Sequence, residues 1–70
     1  MERKDLENSV EQLLTTDDVA KICRTSPSTV RYWRHTGYGP PGFRAGRRVL
    51  YRSSEVAAWL KLRADQEGSR

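Results

Sequence analysis

The sequence predicts one small, mostly α-helical domain that carries a short β-hairpin. Three observations favour this fold class. The chain has 70 residues, which is the size of a single domain. Three helix-start signals occur along it, each with a hydroxyl residue ahead of apolar residues at helical spacing. Between the second and third signals, residues 37–42 read GYGPPG, which no helix accommodates, and a hairpin pattern follows them.

Residues 15–18, which read TTDD, are the start signal of the first helix, which is predicted to run from Asp17 to Ile22 or Cys23. A Thr hydroxyl caps free backbone amides there, and two carboxylates favour the positive end of the helix dipole. Val19, Ala20 and Cys23 then fall on one face.

The second helix follows a turn of three residues and is predicted over Pro27 to His35. Ser26 supplies its cap, and the proline suits the first helical position. Gly37 ends the helix because glycine adopts positive φ without strain. Val30 and Trp33 lie three residues apart and are predicted to face inward.

A hairpin is predicted from residues 43–45 and 48–51, with Gly46 near its tip. An isolated two-stranded hairpin is only marginally stable, so it has to pack on another element. The predicted anchors are Phe43, Val49 and Tyr51.

The third helix is predicted from Ser54 to about Asp65. Its inward stripe consists of Val56, Trp59, Leu60 and the stem of Arg63. The chain therefore divides into an acidic, flexible segment over 1–12, one domain over 13–65 and a loose polar tail over 66–70.

The second helix presents an outward face that is polar and rich in arginine. Two short helices joined by a three-residue turn, the second with such a face, describe a helix-turn-helix. The hairpin and the third helix that follow make it a winged helix-turn-helix.

Charge is segregated along the chain. Residues 1–18 hold six acids and two bases, a net charge of −4, whereas residues 19–54 hold eight bases and no acid, a net charge of +8. Residues 55–70 are balanced. Seven of the eight bases are arginines, which pair bidentately with phosphate and with guanine. A merely solvated face is the alternative, but such a face normally includes acids, so a polyanionic partner is favoured.

Several classes of protein are disfavoured. One Cys excludes an internal disulfide, and no run of apolar residues approaches the length of a membrane span. Neither a catalytic triad nor a phosphate-binding loop occurs, so no enzyme is expected. Cys23 and His35 do not fill a tetrahedral zinc site, so no metal and no cofactor are expected.

Five motifs, in this order, resemble the MerR-like helix-turn-helix of small phage and prophage proteins, which include AlpA-type regulators and the excisionases of actinobacterial phages. The motifs are LTTDDVA at 14–20, SPSTVRYW at 26–33, GPP at 39–41, GRRVLY at 46–51 and SEVAAWL at 54–60. The resemblance covers residue 13 to about residue 62. It implies a winged-helix fold, specific binding of double-stranded DNA, and a role in site-specific recombination or in transcription control.

Two departures from the family pattern matter. Members often have Leu-Gly-Val in the turn where this chain has Cys23, Arg24 and Thr25, so Arg24 has to adopt the backbone of the glycine. MerR activators also carry a coiled coil and an effector domain. No heptad run occurs in this sequence, so neither coiled-coil dimerisation nor a small-molecule ligand is expected.

In this fold the second helix lies in the major groove, and the hairpin enters or straddles the adjacent minor groove. Arg31 is the expected guanine contact, whereas Arg34 and Arg24 are expected on phosphates. Thr16 either contacts a phosphate or caps its own helix. The candidate DNA-binding residues are Ser28, Thr29, Arg31, Tyr32, Arg34 and His35 on the helix, Arg44, Arg47 and Arg48 on the hairpin, and Arg24, Arg52 and Thr16 on phosphates.

Four aromatic residues have open roles. Trp33 and Trp59 lie on apolar helix faces, which favours core anchors over base-stacking platforms. Tyr32 and Tyr38 either bind a phosphate through the hydroxyl or cover the edge of the core.

The expected function is that of an excisionase. Copies of the chain would bind repeated sites cooperatively, bend the DNA and direct an integrase, of the tyrosine or serine type, toward excision. Adjacent copies would associate head to tail, with the acidic N-terminal part of one against the basic surface of the next. The alternative is a small prophage-type transcription regulator. Either protein is expected to act on the nucleoid in the cytoplasm of a bacterial host, and no membrane is expected as a partner.

Overall fold

The computed structural model describes residues 12–68 and forms a three-helix winged helix-turn-helix with a small antiparallel sheet. The predicted fold class is confirmed. The flexible segment expected over residues 1–12 lies outside the described residues, apart from Gln12, and so do residues 69–70. The elements are β1 (Leu13–Thr15), α1 (Thr16–Cys23), α2 (Pro27–Thr36), β2 (Phe43–Ala45), β3 (Arg48–Arg52) and α3 (Ser53–Gly68).

A reciprocal capping box starts α1. The Asp18 N–H donates to Thr15 Oγ1 at 3.1 Å, and the Thr15 N–H donates to Asp18 Oδ2 at 3.0 Å. The hydrogen bonds from the Thr15 backbone and side chain lower the pKa of the Asp18 carboxyl below its ordinary value. Thr15 is therefore the cap. Of the two roles left open for Thr16, that of the cap is wrong, because α1 begins at Thr16, one residue before the predicted start at Asp17.

A left-handed residue makes the turn between α1 and α2. Arg24 has φ 58° and ψ 48°, and its N–H donates to the carbonyl of Lys21 at 3.1 Å. The Thr25 N–H reaches back to the carbonyl of Ala20 at 2.8 Å. Arginine therefore adopts the backbone that glycine favours, as the departure from the family pattern predicts.

The limits predicted for α2 are confirmed to within one residue. Ser26 accepts a hydrogen bond from the Thr29 N–H at 3.2 Å, and the helix continues to Thr36. Gly37 closes it with φ 82°. Val30 is buried on the inner face, where α2 packs on α1.

The sheet has a third strand that the sequence did not predict. The strand order is β1-β3-β2, with Leu14 opposite Tyr51 and Phe43 opposite Leu50. The Ser53 N–H donates to the carbonyl of Gln12 at 3.0 Å, which extends the pairing of β1 by one bond. The hairpin therefore does not stand alone, because β1 pairs with its second strand.

The hairpin predicted over residues 43–51 is confirmed, with its second strand one residue longer. Residues 43–52 are called the wing below. Ala45 pairs with Arg48, so its loop contains only Gly46 and Arg47. Gly46 has φ 66° at the first loop position, which is typical of a type II′ turn.

The inner face of the sheet joins the core. Tyr51 is 1% exposed, Val49 is half-buried, and both contact the core, so these two predicted anchors are confirmed. Phe43 is half-buried, but it pairs with Leu50 on the opposite face of the sheet, so as a core anchor it is wrong. The buried core consists of Leu14, Val19, Ala20, Val30, Tyr51 and Val56.

Helix α3 extends three residues beyond its predicted end. Gln66 accepts a hydrogen bond from Arg63 at 2.9 Å, and the ion pairs Lys61–Asp65 and Arg63–Glu67 span one turn each. Residues 66–68 are therefore helical rather than a loose tail. None of the helices within residues 12–68 has the length and apolar character of a membrane span.

An aromatic cluster joins α2 to α3. The rings of Trp33 and Trp59 lie 5.5 Å apart, and the ring of Tyr38 stands edge-on to both, at 5.5 and 5.4 Å. The Arg63 guanidinium lies 5.4 Å above the Tyr38 ring. The tryptophans therefore pack within the protein, and Tyr38 covers the edge of the core.

Candidate nucleic-acid interface

A cleft of about 390 Å³ opens between α2 and the wing. Val49 and Tyr51 from β3 line it together with predicted site residues from three elements. These site residues are Thr16, Arg31, Arg34, His35 and Arg47. Five residues from three separate parts of the sequence therefore share one concave surface, which is called the cleft below.

The arrangement follows from how each element is fixed. The capping box holds the start of α1, so Thr16 is placed at the mouth of the cleft. Packing of Val30 in the core turns the opposite side of α2 outward. The two-residue turn carries Arg47 at the wing tip.

The outward side of α2 carries four exposed residues at helical spacing. They are Ser28, Arg31, Tyr32 and His35, and the side chain of Tyr32 is the most exposed of the large apolar residues, at 65%. This stripe lies opposite Val30 on the helix. It is therefore the part of α2 that a groove of DNA can reach.

The other two predicted residues of α2 flank that stripe. Arg34 lies between the cleft and a depression formed by residues 37–42. Thr29 is half-buried, and its hydroxyl lies 3.0 Å from that of Ser26, so it takes part in the helix cap.

The wing arginines divide between the two faces of the sheet. Arg44 pairs with Val49 and so lies on the same face of the sheet as Val49. Arg48 and Arg52 are each an odd number of residues from Val49 along β3 and lie on the opposite face. The Arg52 guanidinium lies 5.0 Å above the ring of Phe43, on the face away from the core. The structure therefore does not bring Arg52 to the cleft.

Arg24 also lies outside the cleft. It follows the last residue of α1, whereas Thr16 is the first, and eight helical residues rise about 12 Å. The guanidinium is exposed at the turn.

The cleft is uniformly basic among the residues that line it, because three arginines and a histidine meet there without a carboxylate. Such a surface suits the phosphates of a DNA backbone, which arginine binds through bidentate hydrogen bonds.

Burial raises the pKa of the Cys23 thiol, whose side chain packs against the core. Within residues 12–68 no three His, Cys, Asp or Glu side chains are grouped to hold a metal ion.

One residue beside the cleft was missed by sequence reasoning. Asp17 lines a second depression together with Arg48 and Thr16. In the sequence Asp17 is recognisable only as a helix-start residue. It lies near Arg48 because β1 pairs with β3 and so brings β3 beside the start of α1. No local sequence pattern predicts that pairing.

Comparison with known families agrees with this geometry. The family model described as "Helix-turn-helix domain", of the AlpA/excisionase type, matches residues 13–63, which include both helices of the motif, the wing and most of α3. No curated protein and no solved structure gives a significant match. Domains of this kind bind double-stranded DNA. The chain belongs to the helix-turn-helix domain family.

Proposed function

We propose that this protein binds specific sites on double-stranded DNA and acts as an excisionase. The observation that carries the proposal is the cleft, which gathers Arg31, Arg34, His35 and Arg47 around one basic groove. The cleft opens between α2 and the wing, and in the proposed complex one strand of the duplex passes between them. The family match supports the same class of partner.

In the proposed complex α2 lies in the major groove with its outward stripe against the bases. Arg31 belongs to that stripe and also lines the cleft, so it contacts a guanine. Arg34 and Arg47 hold phosphates and fix the register without reading sequence. Arg44 and Arg48 straddle the minor groove from the two faces of the wing.

Thr16 contacts a phosphate in this proposal. Its hydroxyl is not needed for the cap, which Thr15 provides, and it lies at the mouth of the cleft. Arg24 extends the phosphate contacts at the turn. Arg52 stays a prediction, and its stacking on Phe43 gives the proposal no support.

Excision requires several copies on one DNA segment and an integrase as partner. The segregation of charge supports contact between copies, because residues 1–18 carry a net charge of −4 and residues 19–54 a net charge of +8. A head-to-tail contact of this kind continues from copy to copy along the DNA and bends it. The site of action is then the nucleoid of a bacterial cell.

Two assays test the proposal. Footprinting of a cognate attachment region over a range of protein concentrations should show neighbouring repeats that fill cooperatively. Excision by the cognate integrase should depend on the protein and should be lost in Arg31→Ala. Lys61→Ala is the matched control, because it removes an exposed cation of α3 that lies outside the cleft.

The alternative function, transcription control, predicts a different pattern with the same DNA surface. A protected site over a promoter, together with excision that proceeds equally well without the protein, would favour the regulator. Absence of any sequence-specific protection would contradict both functions.

A further inference from the structure

A notch of about 230 Å³ adjoins the cleft and carries charges of both signs on its walls. Asp17 and Arg48 line it, together with Thr15, Thr16 and Val49. Thr16 and Val49 also line the cleft, so the two depressions are neighbours. An acidic side chain therefore lies at the border of an otherwise basic surface.

The capping box does not require the charge of Asp17. The capping box of α1 uses Asp18, whose carboxylate accepts from the Thr15 N–H, whereas Asp17 is exposed. Within residues 12–68 neither Asp17 nor Arg48 takes part in an ion pair, unlike Lys61 with Asp65 and Arg63 with Glu67 in α3. The two oppositely charged side chains thus line the same notch without forming an ion pair across it.

We propose that Asp17 competes with DNA phosphate for Arg48 and so limits the affinity of the wing for the DNA backbone. This inference rests on the proposed function, since it assigns a regulating residue to the same surface. In the free protein the carboxylate attracts the guanidinium across the notch. When DNA binds, a phosphate pairs with the Arg48 guanidinium, and the attraction between Asp17 and Arg48 is lost.

The electrostatics set the size and the signature of the effect. Exposed pairs of opposite charge are weak, so removing the carboxylate should change affinity by about twofold to fivefold. The effect acts on the backbone contact and not on a base, so random and cognate DNA should gain alike. Salt screens exposed charges, so the gain should shrink as salt rises.

The experiment is a double-mutant cycle on DNA binding, with a random-sequence duplex as the probe. Fluorescence anisotropy gives the affinity of the wild type, Asp17→Asn, Arg48→Ala and the double variant, at low and at higher salt. Asp65→Asn is the matched control, because it removes one exposed carboxylate of α3 away from the notch. Thermal melts verify that each variant is folded.

We expect Asp17→Asn to bind about twofold to fivefold more tightly than the wild type. In the Arg48→Ala background the same substitution should have little effect, because the competitor has lost its target. The control should lie close to the wild type.

Any one of four results would overturn the inference. A loss of affinity in Asp17→Asn means that the carboxylate accepts a hydrogen bond from the DNA instead. Equal gains with and without Arg48, or an equal gain in Asp65→Asn, mean that only net charge matters. If the wild type binds no duplex at all, the proposed function itself falls, and this inference falls with it.

Discussion

At the residue scale, Arg24 adopts a left-handed backbone conformation that is unusual for a residue with a side chain. It is the only residue other than glycine with positive φ within the described part of the chain, at 58°. An L-residue in this region costs roughly 1–2 kcal/mol relative to the right-handed conformation. The sequence revealed the position, because the turn departs from a family pattern with glycine, and the structure confirms the consequence.

Substitutions at Arg24 separate strain from charge. Arg24→Gly and Arg24→Ala both remove the guanidinium, but only glycine relieves the left-handed backbone. We expect the Gly variant to unfold at a temperature roughly 4–8 °C above the Ala variant, which corresponds to about 1 kcal/mol in a domain of this size. Both should bind DNA less tightly than the wild type by the same factor. Equal melting temperatures of the two variants would contradict the assignment of strain.

The capping box predicts how acid acts on the fold. The hydrogen bonds from Thr15 hold the pKa of Asp18 below its ordinary value. A lowered folded-state pKa stabilises the fold above the unfolded-state pKa of about 3.9, and this stability is lost as pH falls through the folded-state pKa. Urea midpoints should therefore decrease between pH 5 and pH 2, and the decrease should be smaller in Asp18→Asn.

Asp17→Asn is the control for that experiment, since its carboxylate lies one residue away and outside the capping box. It should keep the acid sensitivity of the wild type. If Asp18→Asn and the wild type lost stability equally over this pH range, the capping box would not be the source of the acid sensitivity.

At the element scale, the connector between α2 and the wing sets their separation. A Cβ on Gly42 would lie 2.7 Å from a ring carbon of Tyr51, and one on Gly39 would lie 3.1 Å from Trp33 Cβ. The connector thus lies close against α2 at Gly39, whose φ of 86° also favours glycine, and against the sheet at Gly42, where an added Cβ would force a shift. Tyr51, which Gly42 approaches, also lines the cleft.

Gly42→Ala tests this close approach. Tyr51 is buried and has no space to yield, so we expect the free energy of unfolding to fall by about 1–3 kcal/mol, the usual cost of overpacking. Gly68→Ala is the matched control, because nothing lies within 4 Å of its added Cβ. Denaturation with urea measures both. A Gly42→Ala variant as stable as the control would show that the connector does not press on the sheet.

The elements show where sequence reasoning succeeds and where it fails. Caps and turn residues are local signals, so α2 and the wing are predicted to within a residue or two. Strand β1 was missed because Leu13–Thr15 is three residues long, and its partner β3 begins 33 residues after it ends. Such a pairing is decided by packing of Leu14 beside Tyr51 and not by local propensity.

At the scale of the whole molecule, only some of the arginines in the basic stretch of the sequence come together on one surface. The sequence predicts that residues 19–54 face a polyanion, and the cleft does gather Arg31, Arg34 and Arg47. It does not predict that Arg52 turns to the opposite face of the sheet, since that depends on the register of β3. Charge counts therefore give the class of partner, whereas strand parity decides which arginines can meet it.

The number of phosphates contacted is measurable from salt dependence. If about five cations neutralise phosphates, the logarithm of the association constant should fall with the logarithm of salt concentration with a slope of roughly −4 to −5. Lys61→Ala should leave that slope unchanged, because the side chain lies on α3 outside the cleft. A slope near zero would exclude a phosphate-binding surface.

The most direct test of the account compares a cognate and a random duplex in binding titrations of the wild type, Arg31→Ala and Arg47→Ala. Arg31→Ala should abolish the preference for the cognate site, since a bidentate guanine contact discriminates by about 1–3 kcal/mol. Arg47→Ala should weaken binding to both duplexes by the same factor. Equal losses on both duplexes for Arg31→Ala would contradict the claim that α2 reads the bases.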